Sequence, residues 1–269
     1  MAEQGTAGPL IVPEAPLASD KTGETDNWLK DRIVNVYVGA EEKRWAVHEK
    51  LLSSKSLYFD RVFNGRGDIK GRNELRMPTA DPRLFALLVR WLYGTAFATS
   101  GGTRMFRFPL PDGKDITVRD YLGLYVLGGK IDIIGVRNAV INALYLYWGA
   151  ETDEVRCPSL HDVQYVFANT DAKSHMRRLI LAHALFYLFG RKRRGDVLLA
   201  EWEDVLKANG EIGWSMISML ADWRWVMGIN VPGMKIKPRQ DFHEPLVEAT
   251  APSSQGQESG MVKGEPEEQ

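Results

Sequence analysis

The apolar positions of the chain first become regular at Ile33. Ile33, Val34, Val36 and Val38 form a β-branched run that ends at Gly39, and Arg44–Val47 forms a second short run around Trp45. Two such runs joined by Gly39–Lys43 predict a hairpin. From His48 the period becomes helical. Leu51 and Leu52 lead to Ser56, a residue type suited to an N-cap, and Phe59, Val62 and Phe63 then line one helical face. Residues Asn64–Asn73 carry three Gly and no period, which predicts a loop, and Leu75–Met77 is a candidate third strand. Asp81–Pro82 puts an N-cap and an N1 residue in the favoured order. Behind it Phe85, Leu88, Val89 and Leu92 share a face, and Gly94 with the Ser100–Gly102 cluster is expected to close that helix.

Thr99–Asp115 contains Gly101, Gly102, Pro109, Pro111 and Gly113, a connection whose Met105–Phe108 centre is a candidate strand. Two helical stretches follow, Tyr121–Leu127 and Val136–Trp148, and Gly128–Gly129 between them is expected to be a helix break. In the second, Val136, Ala139, Val140, Ala143, Leu144 and Tyr147 keep a helical spacing and predict a core-facing stripe. Beyond Pro158, helices are predicted over Leu160–Ala168, His175–Phe189, Glu201–Lys207 and Ile212–Val226. Strands come first and helices after, so the fold class is α+β with helices dominating.

Composition narrows the possibilities. With 44% hydrophobic and 26% charged residues, the 269-residue chain can bury a real core. The formal net charge of −1 is an average over unlike parts. Residues 1–31 hold six acidic side chains and two Lys, and residues 231–269 hold seven acidic and four basic ones, which leaves 28 basic and 22 acidic side chains between them. Both ends are rich in Pro, Gly, Ser, Glu and Gln, a composition expected to stay unstructured because it buries too little surface to offset chain ordering. A single Cys excludes a disulfide scaffold and a Cys-based zinc finger, and fits a reducing compartment. The first 17 residues contain Glu3 and Glu14 but no Lys or Arg, the wrong flank for a secretory signal. The most apolar stretch, Leu179–Phe189, is 11 residues long, against about 20 for a membrane span. These features predict a soluble intracellular protein, resident in the cytoplasm, the nucleus or both.

Candidate chemistry is sparse. His48, beside a helix start and a Leu pair, reads as a structural side chain bonded to backbone. Cys157, His161, His175 and His183 contain one close pair and no second pair at ligand spacing, so no metal is expected. No phosphate-loop, dinucleotide or nucleophile-elbow motif occurs, and no catalytic residue or cofactor is expected. Arg66-Gly67-Asp68 matches an integrin-binding tripeptide by coincidence in an intracellular chain. The run Arg191-Lys192-Arg193-Arg194 reads as a solvated helix end that suits the helix dipole, or as a nuclear-import signal. The mild positive excess of the body counts against direct nucleic-acid binding through it. Val262-Lys263-Gly264-Glu265 has the form of a SUMO-acceptor site, with Lys263 the acceptor.

Several fragments fall in a familiar order: Val38-Gly39, Trp45-Ala-Val-His48-Glu-Lys-Leu51-Leu52, Ser56-Leu-Tyr58-Phe59, Asp81-Pro82-Arg-Leu-Phe85, Trp91-Leu92-Tyr93-Gly94, Leu124-Tyr125-Val-Leu and Asn138-Ala-Val-Ile. Together they resemble a BTB/POZ domain of the fungal type. Val163-Gln-Tyr165-Val-Phe-Ala-Asn169-Thr170 and Arg177-Arg178-Leu179 resemble the C-terminal extension of those proteins, so the resemblance covers residues 33–228. It implies a short three-stranded sheet flanked by a cluster of helices, over residues 32–149, then a helical extension over 150–230 between tails at 1–31 and 231–269. It also assigns structural roles to His48, Leu51, Leu52, Ser56, Phe59, Phe85, Trp91 and Tyr93. The function implied is non-enzymatic: a module that binds protein partners, by self-association into a homodimer or oligomer, or by scaffolding another protein. The alternative it implies is a substrate adaptor of a cullin-type ubiquitin ligase, with a cullin scaffold as partner; such members use a hydrophobic-x-Glu element in the loop after the second helix. Here that place holds Asp68-Ile69-Lys70, which removes both apolar burial and the matching charge. The Asp expected before the first strand is one residue early, at Asp31, with Arg32 in its place. That departure counts against a strand-exchanged dimer. A nuclear regulator contacting nucleic acid through Arg191–Arg194 is the reading from another class.

Overall fold

A computed structural model of the chain describes residues 31–65, 73–97, 115–149, 156–189, 196–227 and 237–245. Strand β1 (Ile33–Val38) alternates as its sequence predicts: Val34, Val36 and Val38 are fully buried, while Ile33 is 55% exposed. It pairs antiparallel with β2 (Lys43–His48), Val34 opposite Val47 and Val36 opposite Trp45. The intervening turn needs a glycine twice over. Gly39 has φ +80°, and a Cβ there would sit 2.8 Å from the Pro82 ring. Two helices, α1 (Glu49–Ser53) and α2 (Leu57–Asn64), then carry the chain over to β3 (Glu74–Met77). β3 lies parallel to β1, so the order in the sheet is β2-β1-β3. A parallel neighbour requires such a crossover rather than a tight turn.

Helix α3 (Pro82–Phe97) starts where Asp81–Pro82 predicts, with Asp81 Oδ1 accepting the Arg83 amide at 2.7 Å. It passes through Gly94, which was expected to close it, and ends three residues later. Helix α4 (Val118–Lys130) opens on a capping box between Thr117 and Asp120. It also corrects an expectation: Gly128–Gly129 is not a break but part of the last turn of α4, and the chain bends at Ile131–Ile133 before α5 (Ile134–Tyr147). The reason is contact. A Cβ on Gly128 would lie 2.6 Å from Val136 Cγ1, so the glycine lets α5 close onto α4. The stripe predicted on α5 also widens. Val136, Val140 and Leu144 are buried as expected, but so are Ile141 and Tyr145, while Tyr147 is 45% exposed beneath the Arg156 guanidinium. α5 is wedged between α4 on one side and α7 on the other, so one face is not enough.

The remaining helices are α6 (Leu160–Asn169), α7 (His175–Phe189), α8 (Asp196–Ala208) and α9 (Gly210–Met227). α7 is the axis of this half. Every residue from Leu179 to Leu185 is buried, so this stretch meets protein all round rather than on one face. Arg177, 7% exposed, donates to the carbonyls of Phe167 and Thr170 and to the Thr170 hydroxyl, and it pairs with Glu211 of α9. One guanidinium thus satisfies orphan carbonyls at the end of α6 and ties three helices together. The overall class is α+β, helix-dominated, around one small three-stranded sheet. Among the described residues no helix is long and apolar enough to cross a membrane.

The segment expected to be unstructured from residue 231 onward differs over residues 237–245. There a 3₁₀ turn (Arg239–Phe242) packs against α5 and α7, with Phe242 3% exposed. A lone apolar residue among polar ones has no period to read, so only the tertiary contact reveals the ordering.

Candidate interaction surface

The motif residues singled out in the sequence are drawn inward. Leu51, Leu52, Phe59, Phe85 and Trp91 belong to the buried core. The Phe59 and Phe63 rings stack at 6.2 Å, and Phe85 lies 5.8 Å from Trp45. Trp91 packs against α5 where Gly135 leaves room, since a Cβ there would come within 2.9 Å of the indole. Ser56 caps α2 by accepting the Phe59 amide at 3.1 Å. Its hydroxyl also donates to the Ile131 carbonyl at the end of α4, 2.5 Å away. A single hydroxyl therefore joins two helix ends. His48 bonds through Nδ1 to the Tyr93 hydroxyl at 2.9 Å, a side-chain partner on α3 where backbone was expected. The motif side chains serve packing and position.

What faces outward is therefore the candidate surface. Among the described residues five large apolar side chains are exposed: Ile33 at the start of β1, Leu57 at the start of α2, Tyr147, and Trp214 and Ile217 on α9. Trp214 is 71% exposed and Ile217 60%, one helical turn apart. The outer edges of β2 and β3 carry no strand partner among the described residues. Open edges and exposed apolar side chains are features that lead proteins to pair.

Buried polar groups hold the frame behind this surface. Arg83 grips Asp120 with two bonds, Nε to Oδ1 at 2.8 Å and Nη2 to Oδ2 at 3.0 Å. Burial alone would raise the Asp120 carboxyl, but Arg83 and Thr117 outweigh it and hold it below the ordinary carboxylate range. On α4, burial and a bond to Glu244 push the Tyr125 phenol up to about 12. His183 is fully buried against the rings of Tyr145 and Trp148, and neither of its nitrogens has a hydrogen-bond partner among the described residues. Burial drives its pKa down to about 3. Of the residues weighed earlier as ligands, Cys157 packs half-buried on the core, and among the described residues no group of His, Cys, Asp and Glu is arranged to hold a metal ion.

Other sequence candidates lie outside the described residues: Arg66–Asp68, Asp68–Lys70, Met105–Phe108, Arg191–Arg194 and Lys263. Two features escaped sequence reasoning. One is the exposed Trp214–Ile217 pair, in a helix expected only as an element. The other is the seat of residues 237–245, for which the available signal was a pair of amides, Asn138 and Asn142, spaced to share one face of a helix.

A search of curated proteins finds no match. A family model does match, over a stretch that takes in β1 to β3 and α1 to α3 and leaves α4 to α9 outside it. Residues 26–105 match the BTB/POZ domain, a domain that generally mediates protein–protein interaction and is generally non-enzymatic.

Proposed function

We propose that this protein is an interaction module that self-associates, or scaffolds a protein partner, through a BTB/POZ unit over residues 32–149 that residues 150–230 extend with helices. The match of residues 26–105 to that domain carries the reading. The disposition of the side chains supports it: the motif residues His48, Ser56, Phe85 and Trp91 are spent on packing, and Ile33 and Leu57 remain outside it, each 55% exposed. Covering such side chains with a second copy removes apolar surface from water at both ends of a symmetric contact.

Light scattering on the full chain tests this. A mass of two or more copies is expected, falling to that of one copy when Ile33→Asp and Leu57→Asp are combined. A wild-type chain that stays monomeric at tens of micromolar, or a double variant that keeps the wild-type mass, would overturn self-association through these two side chains.

A further inference from the structure

The seat of residues 237–245 has the build of a peptide receptor. On α5, Asn138, Asn142 and Tyr145 follow one another at spacings of four and three, on one face of the helix. Each meets the segment in turn, in reverse chain order. The Tyr145 hydroxyl donates to the Lys237 carbonyl at 3.1 Å, and His243 Nε2 lies 2.7 Å from Asn142 Oδ1. Asn138 engages both main-chain groups of Glu244, accepting its N–H at 2.7 Å and donating to its C=O at 3.0 Å. An amide that pairs with both groups of one residue recognises extended main chain whatever the side chains are, as a strand edge does.

Two side chains add selectivity. Phe242 is buried against Tyr145, with ring centroids 6.3 Å apart. Two residues on, the Glu244 carboxylate enters a socket formed by Arg137, whose Nη2 is 2.6 Å away, and by the Tyr125 hydroxyl, which donates to it at 2.5 Å. Tyr125 is itself held by Arg137 Nη2 at 2.7 Å and has Ser174 Oγ 3.2 Å away. Arg137 is only 21% exposed, and its buried Nε has no hydrogen-bond partner among the described residues. Without a carboxylate this socket presents a largely desolvated cation. The groove is therefore built to receive an acid.

Phe242 is the one buried residue of the segment, and Lys237, Pro238, Gln240, Asp241 and Pro245 are exposed. The segment follows α9 by nine residues, so a short tether raises its local concentration at the groove and lets few contacts suffice.

We infer that the α4–α5–α7 face is a binding groove for a partner peptide that carries an aromatic side chain at the end of a turn, two residues before a carboxylate, and that Phe242-His243-Glu244 occupies it in cis as a tethered competitor. The partner displaces the chain's own segment by presenting the same chemistry with better contacts elsewhere. This site lies outside residues 26–105 and stands independently of self-association.

The test is fluorescence anisotropy with a labelled peptide of residues 237–245, added to the full-length chain. The double variant Phe242→Ala/Glu244→Ala is expected to bind the peptide about tenfold or more tightly than wild type, whose groove is filled. Adding Arg137→Met, or using a peptide with Glu244→Lys, is expected to remove roughly tenfold or more of that affinity. A folded double variant that binds no better than wild type overturns the inference. If the double variant does not fold, a protease site inserted between residues 230 and 236 replaces it: after cleavage the C-terminal piece must exchange for the labelled peptide, and a piece that never exchanges is core, which also overturns the inference. A wild-type dimer that becomes monomeric in the double variant would give the groove to a second copy, again against the inference. Retention of the wild-type mass keeps it separate from self-association through Ile33 and Leu57.

Discussion

The two halves of the molecule are held together differently. From β1 to α3 the work is done by periodic apolar side chains, Val34, Val36, Val38, Leu52, Phe59, Phe85 and Leu92, all of them fully buried. Polar residues there sit at element ends, as Ser56 and Asp81 do. In the region of α4 to α9 charged and polar groups are placed inside: Arg177 between three helices, His183 against two aromatic rings, and Arg137 with Tyr125 under Glu244. An apolar core is non-directional and forgiving of small shifts, whereas an interior bond or charge is lost all at once when one partner goes. The second half shares the buried apolar core of the first and adds individual interior contacts to it.

That contrast can be broken experimentally. The largest effect is expected from Phe85→Ala, which opens a cavity in the apolar core and costs about 3–5 kcal/mol, read as a lower urea midpoint for the whole chain. Arg177→Met keeps much of the volume but strands the Phe167 and Thr170 carbonyls. It is expected to cost roughly 2–3 kcal/mol, and hydrogen exchange should rise first in α6, α7 and α9, with β1 to β3 still protected. Equal loss of protection in both halves would erase the distinction.

Acid should find the second half first. The folded-state pKa of His183, about 3, lies below the ordinary value of 6.5. The unfolded chain therefore takes up a proton that the folded chain refuses. Stability is expected to fall as pH drops through 6.5 toward 3, by roughly 2 kcal/mol at pH 5 from this one group. His183→Leu is expected to flatten that slope in denaturant titrations at pH 7 and pH 5. An unchanged slope would mean that some other group carries the acid sensitivity.

The smallest pair of effects concerns packing at α4. Gly128→Ala is expected to cost about 1–2 kcal/mol because Val136 must move, whereas Gly129→Ala, whose nearest neighbour would be Arg137 Nε at 4.0 Å, is expected to gain about 0.5–1 kcal/mol of helix propensity. Thermal melts of the two variants, shifted in opposite directions, would sharpen the comparison. A shift of the same sign would show that α4 and α5 do not close on Gly128.

Much of the first half was legible in the sequence, because its signals are short-range. The alternation in Ile33–Val38, the Ser56 cap and the Asp81–Pro82 start all act within a few residues of where they are read. Gly128–Gly129 misled for the same reason: a glycine pair resembles a break when only its chain neighbours are considered, and its partner Val136 belongs to the next helix. Tyr147 shares a helical face with Val136 and Leu144 but is 45% exposed beneath the Arg156 guanidinium, while Tyr145 and Trp148 close to it are buried, so periodicity alone misplaced it. The candidate groove was illegible in another way. Asn138, Asn142 and Tyr145 are ordinary helix residues until a segment some hundred positions away lies along them.

The sequence by itself therefore determined the helical and extended segments of the β1–α3 region, their caps, the fold class and the motif residues that the core would bury. Each of these follows from local periodicity, steric preference and hydrogen bonding within a turn. Only the tertiary structure decided that β3 runs parallel beside β1, that Gly128 is a contact, that Ser56 reaches the end of α4, and that Phe242-His243-Glu244 sits on α5. Those outcomes depend on distances between residues far apart in the chain, which close packing sets and no local pattern encodes.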